Sequence, residues 1–306
     1  MNKTSLSQTI TAALRPVTLD SYQIFSNILK QQARFSCECS FANLFLWSSV
    51  YKNQWMYWKD RIFVYSPVEQ ILYFPHGNYV PPKELYEMAA IFREEGHFVT
   101  GYYDVPDDYL LQFPEVSEYF AISSSDNQND YLYNMNHLAT MSGAKLRKKR
   151  NLVHQFENSY PNAKAERITP ENLPVVKNLA EQLNAEHIPS EFIHEENQAL
   201  ENLWQNFFAP ELHLDGLIIF ADDIAAGFSI LSPLTGCSCC DIHFEKAIHS
   251  IKGAPQYLTW KVADEFKIQY QVMNREQDLG EEGLRQAKRS LDPFLQLRRN
   301  NLTFIA

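Results

Sequence analysis

Residues 216–274 read GLIIFADDIAAGFSILSPLTGCSCCDIHFEKAIHSIKGAPQYLTWKVADEFKIQYQVMN, and this stretch decides the fold. Three apolar runs open it: Gly216 to Ala221, Ile224 to Ser232 and Cys237 to Phe244. Each is short enough to be a strand, and Asp222-Asp223 makes a tight hairpin turn between the first two. After Gly253 the spacing changes to that of a helix, Gln256 to Gln269, followed by a fourth short strand, Tyr270 to Asn274. Three antiparallel strands followed by a strand–helix–strand unit predict a mixed sheet with helices, an α/β (α+β) domain.

Working outward, Ala165 to Ile168 reads as a strand and Thr169-Pro170-Glu171 as a helix start running to about Asn184. Glu281 to Ser290 is a helix and Leu302 to Ala306 a closing strand. The second half thus reads β-α-(α)-β-β-β-α-β-α-β, and its order is similar to that of the Gcn5-related N-acetyltransferase (GNAT) fold. The first half is a rougher version. It has a helical region over 15–34, an apolar segment Ser40–Tyr51 and strands at Trp55–Lys59, Arg61–Ser66 and Gln70–Phe74. A helix follows from Pro81-Pro82, then a strand Phe98–Tyr103 and a short helix to Phe113. The polar run Ser123–Asn129 marks the boundary. Two tandem GNAT-like acyltransferase domains are expected, 1–129 and 130–306, the second carrying the site.

The bulk numbers narrow the function. A length of 306 residues fits two domains. A net charge of −10 excludes a dedicated duplex-DNA binder, which needs a broad basic face. With only 10 glycines, a glycine-rich nucleotide-binding architecture is not expected. The five cysteines, Cys37, Cys39, Cys237, Cys239 and Cys240, lack zinc-knuckle spacing, so no metal is assigned and reduced thiols in strands are expected, as suits the cytoplasm. Met1 to Thr11 carries no secretory signal, and no run is long and apolar enough to span a membrane.

Four regions carry chemistry. Asn274-Arg275-Glu276-Gln277-Asp278 follows a strand, where ligands bind in open α/β sheets. Arg275 could clamp a carboxylate or phosphate. Glu276 or Asp278 could accept a proton from an attacking amine, and Asn274 could bind substrate. The same loop could equally cap the next helix. In His243-Phe244-Glu245-Lys246, alternation places His243 and Glu245 on one face and Phe244 and Lys246 on the other. His243 is then a general base oriented by Glu245, or half of a hydrogen-bonded core pair; Lys246 is a substrate ligand, or solvated. Lys252-Gly253 precedes a helix, where backbone amides bind phosphate, but Pro255 removes one donor. Lys145, Arg147, Lys148, Lys149 and Arg150 form the one dense basic run, on a helix expected over Ser142–Tyr160. Lys145, Lys148 and Lys149 would share a face that binds tRNA or lipid phosphates, or is simply solvated. His76, His97, His154, His187, His194, His213 and His249 show no ligand spacing and receive no role.

Three segments carry a resemblance. They are Asp130-Tyr-Leu-Tyr-Asn134 with Leu138 to Asn151; His243 to Ala247 with Lys252-Gly253; and Asn274 to Lys288. Ser36 to Trp47 adds a first-domain segment. Together they resemble soluble members of the family that contains the C-terminal catalytic domain of phosphatidylglycerol lysyltransferase. The resemblance implies tandem GNAT domains that move an aminoacyl group from charged tRNA to an amine or hydroxyl acceptor, a small molecule or a lipid. Two other readings stand beside it: an acetyl-coenzyme A-dependent N-acetyltransferase acting on a small amine, and a non-catalytic ligand-binding protein.

Overall fold

The structure is a computed structural model that describes residues 14–186 and 190–305. The expectations for Met1–Thr11 and His187 lie outside the described residues. Among the described residues, fourteen strands form two seven-stranded sheets. They are β1 (Arg15–Pro16), β2 (Gln54–Trp58), β3 (Arg61–Ser66), β4 (Ile71–Tyr73), β5 (Gly101–Val105), β6 (Phe120–Ser124) and β7 (Asp130–Asn134). The second half adds β8 (Lys164–Arg167), β9 (Asp215–Ala221), β10 (Ile224–Leu234), β11 (Cys239–Ala247), β12 (Val272–Asn274), β13 (Leu295–Leu297) and β14 (Asn300–Phe304).

The two sheets share one pattern. In the first, four antiparallel strands β1 to β4 lead through the helix Pro82–Glu94 to β5, which is parallel to β4. In the second, β8 to β11 lead through the helix Ala254–Phe266 to β12, parallel to β11. This is the tandem GNAT-like α/β architecture expected from the sequence.

The sheets finish in each other's halves. Beyond β5 the first sheet continues with β14 and then β6, whereas beyond β12 the second continues with β7 and then β13. The chain leaves the edge of the first sheet to enter the interior of the second, and later leaves the edge of the second to enter the interior of the first. The closing strand expected within 130–306 therefore belongs to the first sheet. The apolar pattern of Leu302 and its neighbours specifies a strand but not which sheet receives it.

The halves also share a core. Phe25, Phe41, Leu44 and Trp55 from the first pack in one cluster with Val176, Leu203, Phe228, Ile230 and Phe244 from the second. The helix Glu191–Asn206 packs against the helices at 41–51. Cys37 and Cys39 lie in a 3₁₀ turn rather than the expected strand, because Ser36 caps that turn and Ser40 caps the helix Phe41–Leu46 that follows it. All five cysteines are free thiols. No helix among the described residues is long and apolar enough to cross a membrane.

Candidate functional site

β11 runs to Ala247 but pairs with β12 only through Cys239–Asp241. Beyond Asp241 the two strands part, and the chain after Asn274 turns away. A cavity of about 320 Å³ opens in that gap, between the halves. Glu38, Trp47, Tyr51 and Tyr73 line it from the first half, and His243, Lys246, Arg275, Glu276 and Lys288 from the second.

A β-bulge shapes the cavity. Ile230 pairs with Phe244 and Leu231 with Ile242, so His243 is the extra residue on β11. The bulge overturns the expected alternation. His243 turns to the side of Asp241 and bonds Ser232 on β10, Nε2 to Oγ 2.8 Å. Phe244 packs into the core shared by the halves and Lys246 pairs with Glu196 at 2.6 Å. Glu245 points to the opposite face, where it accepts from Thr259 Oγ1 at 3.2 Å and pairs with Arg275. Glu245 is therefore a partner of Arg275 and does not orient His243. One inserted residue shifts the two-residue period, which alternation alone does not reveal.

His243 has other neighbours. Its Nδ1 lies 3.5 Å from Asp241 Oδ2 and 3.8 Å from Glu276 Oε1. Asp241 is fully buried, and burial, reinforced by the nearby Glu276 charge, pushes its carboxyl well above the usual range. Glu276 sits in the left-handed region, φ 51°, and this aims its side chain into the cavity. Its N–H donates to Asn274 Oδ1 (2.7 Å) and its carbonyl accepts from Tyr131 N (3.2 Å), which holds the bend.

Beneath the cavity floor lies a buried polar network. Asp130 accepts from Cys37 N, Asn274 Nδ2, Gln277 Nε2 and Arg299 Nη2. Arg299, fully buried just before β14, also donates to Tyr103 Oη and to Glu38 Oε1 at 3.1 Å. Asn274 is thus a structural link from β12 to Asp130, not a group open to substrate. Glu38 is held on the cavity wall, and burial lifts its carboxyl to about 7 despite the pull of Arg299.

The remaining expectations part company with the cavity. Asp278 is fully buried and accepts from Tyr131 Oη (2.6 Å), Gly280 N (2.9 Å) and both Arg285 Nε and Nη2 (2.9 Å). These bonds, Arg285 foremost, hold it below the usual carboxylate range. It anchors the loop and does not serve as a base. Lys252 and Gly253 do not line the cavity either. Gly253 caps the helix Ala254–Phe266 at φ 86°, and a Cβ there would stand 2.3 Å from Leu152 O. The loop is covered by the helix Arg147–Ser159. That helix begins later than expected, so Lys145 lies in the preceding turn, bonded to Asp292 at 2.7 Å, and does not share a face with Lys148 and Lys149. Arg150 donates to Met141 O. Arg147 and Lys148 are exposed, while Lys149 is half-buried, its ammonium pushed down by burial and by the Arg275 charge.

Residues 29–298 match the family model described as "Phosphatidylglycerol lysyltransferase, C-terminal". The chain belongs to this family. Two solved structures with family-related descriptions share its fold. One is L-PGS from Bacillus licheniformis, 13% identical, with 94% of this chain and 93% of that chain covered and a TM-score of 0.65. The other is the C-terminal domain of a putative lysylphosphatidylglycerol synthetase from Agrobacterium fabrum, 12% identical, covering 92% and 91%, with a TM-score of 0.61. A conserved protein of unknown function from Bacteroides thetaiotaomicron is 27% identical, covers 95% of this chain and 99% of its own, and has a TM-score of 0.85. The sequence has no match among curated proteins.

The sequence reading missed Asp241 and Glu38. A lone carboxylate inside the apolar run Cys-Cys-Asp-Ile-His-Phe was a signal for the first, since a buried charge demands a partner. Glu38 carried a weaker form of that signal, between two cysteines in a short apolar segment, but its partner Arg299 is 261 residues away and local spacing does not point to it.

Proposed function

We propose that the chain is an acyltransferase that moves an aminoacyl group from charged tRNA to an amine or hydroxyl acceptor within the cavity between its halves. Family membership supports acyl transfer, and one observation carries the reaction. The cavity wall holds a buried donor with no partner, Arg275 Nη1, together with a carboxylate that titrates near neutrality, Glu38. The acceptor attacks the acyl carbon directly, the ester bond to the terminal ribose of the tRNA breaks, and the ribose oxygen leaves as a hydroxyl carrying the proton that the acceptor gives up through Glu38. Glu38 takes the proton that the attacking group loses, because a base works best when it titrates near the working pH. Arg275 donates to the oxygen on which negative charge develops. Glu276 lines the same space and positions the reacting groups, and His243 stands behind it. No covalent intermediate is needed: burial pushes the nearby Cys37 thiol well up, which makes it a poor nucleophile.

Two features favour a tRNA donor over coenzyme A. The amide loop at Gly253 is packed against a neighbouring helix, and Pro255 removes a donor. The helix Arg147–Ser159 carries Arg147, Lys148 and Lys149 in its first turn, where cations oppose the helix dipole. A polyanion bound there offsets that cost. The acceptor is a lipid headgroup in keeping with the family's description, and exposed Phe192, Leu279 and Leu284 beside the cavity give it an apolar rim.

The test combines two measurements. Protein mixed with tRNA charged with labelled amino acid is expected to pass label to phosphatidylglycerol vesicles or to a small amine, while calorimetric titration with acetyl-coenzyme A gives no heat. One-site micromolar binding of acetyl-coenzyme A would overturn the tRNA donor in favour of acetyl transfer. Binding of charged tRNA without any turnover would favour a non-catalytic protein.

A further inference from the structure

We infer that Asp241, His243 and Glu276 form a binding site for a single divalent transition-metal ion at the deep end of the cavity. Their ligand atoms all lie within 4.8 Å of one another. Both oxygens of Asp241, Nδ1 of His243 and Oε1 of Glu276 are buried with no hydrogen-bond partner. The side chains of Asp241 and His243 have no exposed surface. Buried polar atoms left unpaired cost free energy, and four that converge from three residues call for a shared occupant.

The chemistry of the donors selects that occupant. One imidazole nitrogen and two carboxylates are a donor set for zinc, manganese or iron(II), not a thiolate site for softer metals. In a tetrahedral site with bonds of about 2.1 Å, neighbouring ligand atoms stand roughly 3.4 Å apart. The observed 3.5 Å from His243 Nδ1 to Asp241 and 3.8 Å to Glu276 need only a small contraction. The ring is already set for it. Its Nε2 is engaged with Ser232 Oγ, whose own partner is Ser40 Oγ at 3.3 Å, so Nδ1 is the nitrogen turned toward the carboxylates. Ser40 comes from the first half and Ser232 from the second, so both halves hold the ligand in place. A divalent ion would also offset the cost of bringing both carboxylates together in their ionised form in a dry site.

Three protein ligands leave a fourth position open, and only His243 and Glu276 of the three line the cavity. The vacant position therefore faces the space where acceptor and acyl group meet under the reading above. The site itself does not depend on that reading, and its test uses metal binding alone.

Untagged protein stripped with chelator is titrated with Zn²⁺ and with Mn²⁺ by calorimetry, and bound metal is counted by mass spectrometry. One ion per chain is expected. Asp241→Asn and His243→Ala should each weaken binding more than about 100-fold, and Ser232→Ala by about 10-fold or more, the range seen when an outer partner of a ligand is lost. Should a variant fail to fold, as judged by its far-ultraviolet spectrum, Co²⁺ on the unaltered protein decides. Visible d–d bands without a near-ultraviolet thiolate band are expected. Absence of saturable binding, binding retained in folded Asp241→Asn, or a thiolate band pointing to the cysteines would each overturn the site.

Discussion

Glu38 titrates at about 7 because burial disfavours its charge by more than Arg299 restores. A base of this kind is active only when ionised, so kcat/KM is expected to rise as pH passes about 7 and then level off. Glu38→Gln should flatten that rise and lower kcat, with substrate affinity little changed; an unaltered profile would remove Glu38 from the reaction. Because its folded pKa is raised, ionising Glu38 costs stability as pH climbs through about 7. Lys288 is the reverse case. Its ammonium, almost wholly buried, is pushed down to about 8 and donates to the carbonyls of Arg275 and Gln277. The unfolded lysine keeps its proton to higher pH, so this residue adds stability as pH rises above about 8 and withdraws it as pH falls through that value. Lys288→Met would leave the two carbonyls unpaired and should cost about 2 kcal/mol in urea unfolding at pH 7.

At the scale of the element, the loop 275–280 is the piece on which the site depends. It leaves β12 with three left-handed residues, Glu276, Leu279 and Gly280, and is pinned at its far end by Asp278. Asp278→Asn retains the shape but loses the charge that faces Arg285. A loss of about 1.5–3 kcal/mol is expected, the range for hydrogen bonds to charged groups. Since its folded pKa is depressed, the contribution of Asp278 is present above the ordinary carboxylate pKa and lost as pH falls below it. Melts of wild type and Asp278→Asn should therefore converge in strong acid. The same scale shows what the sequence could tell. Strands β9 to β11, the crossover helix and β12 were legible because each is a single apolar run or one helical period, ended by turn residues. The strands β1, β6, β7 and β13 were not identified, β1 falling inside the region 15–34 that was expected to be helical. Each is short, at most five residues, and each becomes a strand through its neighbours. The bulge at His243 was illegible for a related reason. It is defined by pairing with β10, and nothing in the local spacing marks it. The site was thus half visible: its residue types and loop were found, but not the face on which His243 lies nor the buried Asp241 beside it.

The whole molecule is held together by the exchange of strands. Arg299 reaches from the segment before β14 to Asp130, the first residue of β7, so the two exchanged strands are joined by a buried ion pair of 2.6 Å directly beneath the cavity. Removing residues 300–306 should therefore disturb both halves. A single cooperative thermal transition is expected for the full chain, and separately produced 1–129 and 130–306 should lack stable structure until mixed. Two independent transitions in the full chain would contradict this.

The exchange also has a consequence for how the protein is made. The place beside β6 stays vacant until β14, about 180 residues further on, has left the ribosome. At about 5–20 residues per second, that delay is on the order of ten to forty seconds. Throughout it, the inner edges of β5 and β6 remain open to pairing with other nascent chains. Translation speed and holding chaperones therefore bear on the yield of this protein more than on that of one whose domains close in the order they are synthesised.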